Sequence, residues 1–189
     1  MANVDTSELR NGIKVIFDRA PWIVLNVDFV KPGKGQAFYK IRVQNLLTGN
    51  SQEKTLRSGE KVEAADVTDA DMSYLYADAN GYVFMDKNTY DQITVPTKAV
   101  GDQKDFLLEN MDVSVTLWNG EPIAVRLPNS VVMEIVYTEP AVKGDTQSRV
   151  MKPAKLATGA EVQVPIFVAQ GDKITINTQS REYLGRAGK

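Results

Sequence analysis

Short β-branched runs separated by turn signals recur along the whole chain and leave little room for anything but strands. Ile13-Lys14-Val15-Ile16-Phe17 and Trp22-Ile23-Val24-Leu25-Asn26-Val27 flank Asp18-Arg19-Ala20-Pro21, a turn signal. Phe38-Tyr39-Lys40-Ile41-Arg42-Val43 alternates at period two, and Leu47-Thr48-Gly49-Asn50 then turns the chain. Glu53 to Leu56 predicts a fourth strand and Lys61-Val62-Glu63 a fifth. This many short strands in about 60 residues predicts a small barrel of SH3-like type.

The same grammar then restarts. Met72 to Tyr76 and Tyr82 to Met85 flank Asp78-Ala79-Asn80-Gly81, where Asn-Gly is a strong hairpin signal. Gln92 to Val95 follows, and one helix is predicted, capped at Gly101-Asp102 and running through Phe106, Leu107 and Leu108. Val113 to Trp118, Asn119-Gly120 and Pro122 to Val125 make another hairpin, and Val131 to Val136 a further strand. Beyond Lys143-Gly144-Asp145-Thr146 the pattern reads as loop. A third round comprises Glu161 to Pro165, Ile166-Phe167-Val168, Lys173 to Asn177 and a last strand near Arg181 to Leu184. Two barrels of OB type fit these rounds. Barrels of about 60 residues sit near the lower limit of independent stability. Three in a line, each ~27 Å across, would span roughly 80 Å, comparable to the long dimension of a transfer RNA.

Two absences narrow the chemistry. The chain of 189 residues has no cysteine and no histidine. Thiolate nucleophiles, sulfur-ligated metals, Ser-His-Asp and Cys-His catalysis are excluded, and the commonest metal ligand is missing. Carboxylate pairs such as Asp69/Asp71 read as solvated loop charges, so the expectation is not an enzyme and no metal. The amino terminus, MANVDTSELRNG, lacks a cationic leader with an apolar h-region, and no apolar run reaches the ~20 residues of a membrane helix, so the expected address is the cytoplasm.

The net charge of −2 is unevenly spread. Residues 1–45 carry 7 Lys/Arg against 4 Asp/Glu, residues 60–112 carry 4 against 12, and residues 113–189 carry 9 against 7. Basic ends and an acidic middle suit a body that meets phosphates only at its ends. Within the basic first section, Lys34 stands between two glycines just after Pro32, where local sequence offers it no partner.

Four stretches carry a resemblance across essentially the whole chain. They are "KPGKGQAF" from Lys31, "LLTG" with "EKT" after it, "TLWNGEPIAV" followed by "VVMEIVYTEPAVKGDT", and "KPAKLATGAEVQVPIFVAQGDKI" with the closing "REYLGR". In this order and at these spacings the chain resembles bacterial elongation factor P. The resemblance implies an all-β protein of three small barrels in an L-shaped, tRNA-like arrangement. An SH3-like (KOW-type) domain at 1–64 is followed by OB-fold domains at 65–128 and 129–189. It implies a monomeric, non-enzymatic translation factor that binds the 70S ribosome between the peptidyl and exit sites. There it would relieve stalling at consecutive prolines. Implied partners are peptidyl-tRNA, rRNA, messenger RNA in the exit site and lysine-modifying enzymes, with no cofactor and no membrane.

The same resemblance implies that Lys34 is the modification site, receiving a β-lysyl group with hydroxylation as a further step. Pro32, Gly33 and Gly35 shape its loop. Gly144, Asp145 and Thr146 match a third-domain loop directed at messenger RNA. Tyr183 and Arg186 match a terminal Tyr-x-x-Arg that could stack on a base and pair a phosphate, although a strand would point the two to opposite faces. Two rival readings remain: the unmodified elongation factor P-like paralogue, and a general KOW/OB nucleic-acid-binding module. The first lacks the lysine-tipped "PGKG". The second predicts basic residues beside OB-strand aromatics, whereas Tyr74, Tyr76, Tyr82 and Phe84 lie among acidic neighbours here.

Overall fold

A computed structural model describes residues 2–141 and 150–187. The elements in chain order are β1 (Asn3–Asp5), a 3-10 turn (Thr6–Glu8), β2 (Lys14–Phe17), β3 (Ala20–Val30), β4 (Phe38–Asn45), β5 (Ser51–Arg57), β6 (Lys61–Glu63), β7 (Val67–Asp78), β8 (Gly81–Asp86) and β9 (Gln92–Val95). A helical turn α1 (Thr97–Val100) and a 3-10 segment (Gly101–Phe106) follow. Then come β10 (Asp112–Trp118), β11 (Glu121–Arg126), β12 (Ser130–Thr138), β13 (Met151–Leu156), β14 (Glu161–Pro165), β15 (Lys173–Asn177) and β16 (Tyr183–Arg186). The sheets run β2-β3-β4-β5, β11-β10-β7-β8-β9 and β14-β13-β12-β15-β16, with a small β1-β6 pair. By compactness the chain divides into residues 1–70 with 115–124, and 71–114 with 125–189.

The first sheet is built on period-two alternation. In β4, Ile41 and Val43 are buried while Lys40 and Arg42 are exposed. With Leu9, Val15, Trp22, Val24 and Val62 they form one core, and Val27, Tyr39 and Leu56 pack on its rim. Each such aliphatic side chain, fully buried, contributes about 1.5–3 kcal/mol. The Trp22 indole donates to the Phe17 carbonyl at 3.0 Å, so its one polar atom is not orphaned. The Asp18-Arg19 turn joins β2 to β3 with φ of 50° and 61°, the primed geometry that matches strand twist.

One turn recurs in each sheet although no repeat period shows in the sequence. Asn45 Oδ1 accepts from the amides of Leu47 and Thr48, while Gly49 N donates to Asn45 O and Asn45 N to Asn50 O. Asp86 does the same over Asn88, Thr89, Tyr90 and Asp91. Asn177 does so over Gln179, Ser180, Arg181 and Glu182. The fifth residue of each turn is left-handed, with φ of 79° at Gly49, 65° at Tyr90 and 64° at Arg181. Only the first uses glycine.

The amides of Thr89 and then Asn88 hold the Asp86 carboxyl below the usual aspartate range. A depressed folded pKa stabilises the fold above the unfolded pKa, and this is lost as pH falls through the folded one. Asp86→Asn is therefore expected to keep the turn, as Asn45 and Asn177 do, and to lose less stability than the wild type between about pH 5 and pH 3. Parallel denaturant titrations at the two pH values check this. Identical acid sensitivity would show that Asp86 contributes none of it.

Three expectations need correction. The helix expected from Gly101-Asp102 is a 3-10 segment, Gly101–Phe106, preceded by the separate turn Thr97–Val100 on the Pro96 carbonyl, and Asp102 makes no side-chain cap. Its regular part ends at Phe106, so Leu107 and Leu108 lie outside it. Ile166-Phe167-Val168 is a turn closed by Val168 N donating to Pro165 O. Finally, the stretch read as loop contains β13, in which Ala154 and Leu156 are buried between exposed neighbours. Pro153, which cannot donate to a ladder, masked this strand. The central aromatics pack on one another: Tyr74 lies 5.4 Å from buried Phe84 and 6.0 Å from Tyr82, and burial raises the Tyr74 phenol pKa.

Candidate functional site

β3 and β4 pair from Trp22↔Asn45 to a last rung at Val30↔Phe38, with a register shift between Val24 and Asn26. The seven residues from Lys31 to Ala37 close this hairpin. Pro32 is half-buried, while Gly33, Lys34, Gly35 and Gln36 are exposed. Among the described residues Lys34 has no ion-pair or hydrogen-bond partner. Gly35 has φ 147°, and a Cβ there would meet Pro32 Cγ at 3.4 Å. Nothing lies within 4 Å of a Cβ placed on Gly33. The loop thus presents a primary amine on a bare backbone, above the ladder and an Ala37 carbonyl that accepts from Ser58 N at 3.1 Å.

The stem carries opposite characters on its two faces. Lys40 stands opposite Asp28 and Thr55, and Arg42 opposite Asn26 and Glu53. Arg57 pairs with Phe38 at the end of the ladder. On the core-facing side Phe29 pairs with Tyr39, their rings 4.9 Å apart and tilted by 47°.

Gly144, Asp145 and Thr146 lie outside the described residues. Tyr183 and Arg186 both fall on β16. Tyr183 is half-buried and lines a recess with Met151, Gln163 and Arg181. Arg186 lies elsewhere. Its guanidinium sits 4.8 Å above the Phe167 ring, donates to the Phe167 carbonyl at 2.9 Å and lies 3.5 Å from Asp172. A register shift between Thr175 and Ile176 breaks the simple alternation of this strand, but the two residues still line no common recess. Sequence reasoning missed Phe167 as the support for Arg186, because Ile166-Phe167-Val168 was read as part of a strand. The proline at 165 was the available signal for a turn.

Asp69 and Asp71, read from the sequence as solvated loop charges, are exposed but lie on β7 rather than in a loop. Asp69 accepts from Thr116 Oγ1 at 2.8 Å. Asp112 takes a 3.0 Å bond from Lys87, which together with their charge attraction keeps its carboxyl below the usual range. No group of three His, Cys, Asp or Glu side chains suited to a metal occurs among the described residues. No helix among them is long and apolar enough to cross a membrane.

Family models match three consecutive stretches. The Elongation factor P (EF-P) KOW-like domain covers residues 5–62, the Elongation factor P (EF-P) OB domain residues 67–125, and Elongation factor P, C-terminal, residues 131–186. The Elongation factor P of Synechococcus sp. (strain JA-2-3B'a(2-13)) is 48% identical over 183 residues, covering 97% of this chain and 99% of its own. The fold is shared with Eukaryotic translation initiation factor 5A from Methanococcus jannaschii, with TM-score 0.56 and 20% identity over 67% of this chain and 94% of that one. A Translation initiation factor eif-5a family protein from Naegleria fowleri gives TM-score 0.53 and 16% identity over 67% and 98%. The all-β reading, with a KOW-like first section and OB-type barrels, agrees with these matches. This chain belongs to the elongation factor P family of translation factors.

Proposed function

We propose that the chain binds the ribosome between the peptidyl and exit sites and speeds peptide-bond formation at consecutive prolines. Lys34, lengthened by a β-lysyl group, would steady the end of the peptidyl-tRNA. The exposed ammonium at the tip of the β3–β4 hairpin, without a partner among the described residues, carries this reading. Proline fixes its own φ, so a nascent Pro-Pro end holds the reacting groups in a poor geometry. Positioning can supply ~7–11 kcal/mol at best, and bracing the peptidyl-tRNA need recover only a small part of that. A lysine suits the task because a long flexible stem carries a compact charge that pairs with phosphate. Gly33 and Gly35 add no bulk beside it.

In this reading the domains are those at 1–64, 65–128 and 129–189. Gly144-Asp145-Thr146 meets messenger RNA, and Tyr183 and Arg186 meet ribosomal RNA. The factor works as a monomer in the cytoplasm without a cofactor, and the enzymes that modify Lys34 are its other partners. The test is a reconstituted translation of two reporters, one with three consecutive prolines and one without proline. Added factor is expected to raise full-length product from the first and leave the second unchanged. Equal effects on both would overturn the proline reading. Arg186→Ala is expected to weaken ribosome binding and to flatten the slope of log affinity against log salt by about one, as loss of one phosphate contact requires. An unchanged slope would assign Arg186 to local packing on Phe167.

A further inference from the structure

The stem beneath Lys34 carries an aromatic ring, Phe29, that lies outside the core of the barrel. Val24, Val27, Tyr39, Ile41 and Leu56 follow the core-facing alternation and pack on the first core. Phe29 continues the same face one step beyond the end of that core. It pairs with Tyr39 and leaves 55% of its surface in water. A ring that served only to fill the barrel would sit where Val27 sits. The tip beyond it is cationic, with Lys31 and Lys34 exposed, while Lys40, Arg42 and Arg57 are exposed on the opposite face of the stem, against Asp28 and Glu53.

A flat apolar ring below a basic hairpin tip is complementary to a polyanion that exposes flat apolar faces. Unpaired RNA has that character, since each base offers a π-face and each link a phosphate. An acidic protein surface would satisfy the cations, but only a nucleic acid offers a π-face at every unit next to a phosphate. We propose that Phe29, backed by Tyr39, is a stacking platform for one unpaired RNA nucleotide beside the path of Lys34. This inference rests on the reading of Lys34 given above. Phe29 thereby acts as a second anchor. The aromatic contact fixes the stem, and the flexible amine is left to reach onward.

The experiment measures equilibrium binding of the full chain to 70S ribosomes carrying peptidyl-tRNA, together with the melting temperature of each variant. Phe29→Ala and Phe29→Leu are expected to bind about tenfold more weakly, in line with loss of one base–aromatic stack, while Phe29→Trp retains wild-type affinity. All three should melt within about 3 °C of the wild type, because the ring is more than half exposed. Wild-type affinity in Phe29→Leu would overturn the proposal, since leucine keeps the apolar contact and the strand but removes the π-face. Normal binding by Phe29→Ala combined with poor modification of Lys34 would overturn it in favour of a protein partner at the same place. Absence of ribosome binding by the wild type would overturn the parent reading, and this inference with it.

Discussion

Lys34→Ala is expected to fold as the wild type does and to lose rescue of a triple-proline reporter by at least about tenfold, while a proline-free control is unaffected. The stability half follows from exposure. Lys34 sits on the loop tip with no partner among the described residues, and substitutions at such positions usually stay within about 0.5 kcal/mol. The activity half follows from what is removed. Tenfold in rate corresponds to about 1.4 kcal/mol of barrier, a small part of what positioning can provide. Lys34→Arg refines the result, because a guanidinium keeps the charge but not the amine that would take up a lysyl group. It is expected to rescue little better than alanine. Rescue by Lys34→Ala equal to the wild type would remove Lys34 from the mechanism and leave the body of the protein to explain activity. Intact-mass measurement across residues 31–40 of the native protein separates the contribution of the modification from that of the lysine itself.

Gly81→Ala is expected to cost about 3 kcal/mol or more, the largest stability effect of any single methyl added to a described glycine. Gly81 opens β8 opposite Asp78, with φ 143°, and is buried. A Cβ at this position would come within 2.3 Å of the Val95 carbonyl oxygen and 3.1 Å of its carbon. Those are backbone atoms of β9, whose neighbouring rung Tyr82↔Val95 ties the two strands together. No side chain can swing away, so the hairpin or the ladder must move. Gly120→Ala is the matched comparison. It also has positive φ, at 84°, but nothing lies within 4 Å of the added carbon. Its expected cost is about 1–2 kcal/mol, the conformational term alone. Denaturant unfolding of both variants isolates the steric part by difference. Equal losses would mean that β9 yields to the methyl without strain.

The local parts of this protein were readable before folding was considered. Asp18-Arg19, Asp78-Ala79-Asn80-Gly81 and Asn119-Gly120 announced their turns because turn chemistry acts over two to four residues. Phe38 to Val43 announced its buried face because alternation is a property of the strand itself. The parts that failed were those governed by neighbours distant in the chain. β13 was missed because Pro153 is acceptable only where Lys152 to Lys155 pair with Val164 to Glu161. Ile166-Phe167-Val168 looked like a strand, yet Val168 N turned back to Pro165 and left Phe167 58% exposed.

The sequence alone determined the all-β class, the turn sites, the absence of cysteine and histidine chemistry, and a glycine-flanked lysine two residues past Pro32. Only the tertiary structure decided that this lysine stands exposed at a hairpin tip, and that Arg186 rests on Phe167 rather than beside Tyr183. It alone decided that Phe29 falls just past the end of the core. The division has a physical cause. Turn and alternation preferences are spent within a few residues of chain, whereas exposure and partnership depend on how many layers of side chain the paired strands bring over a given atom.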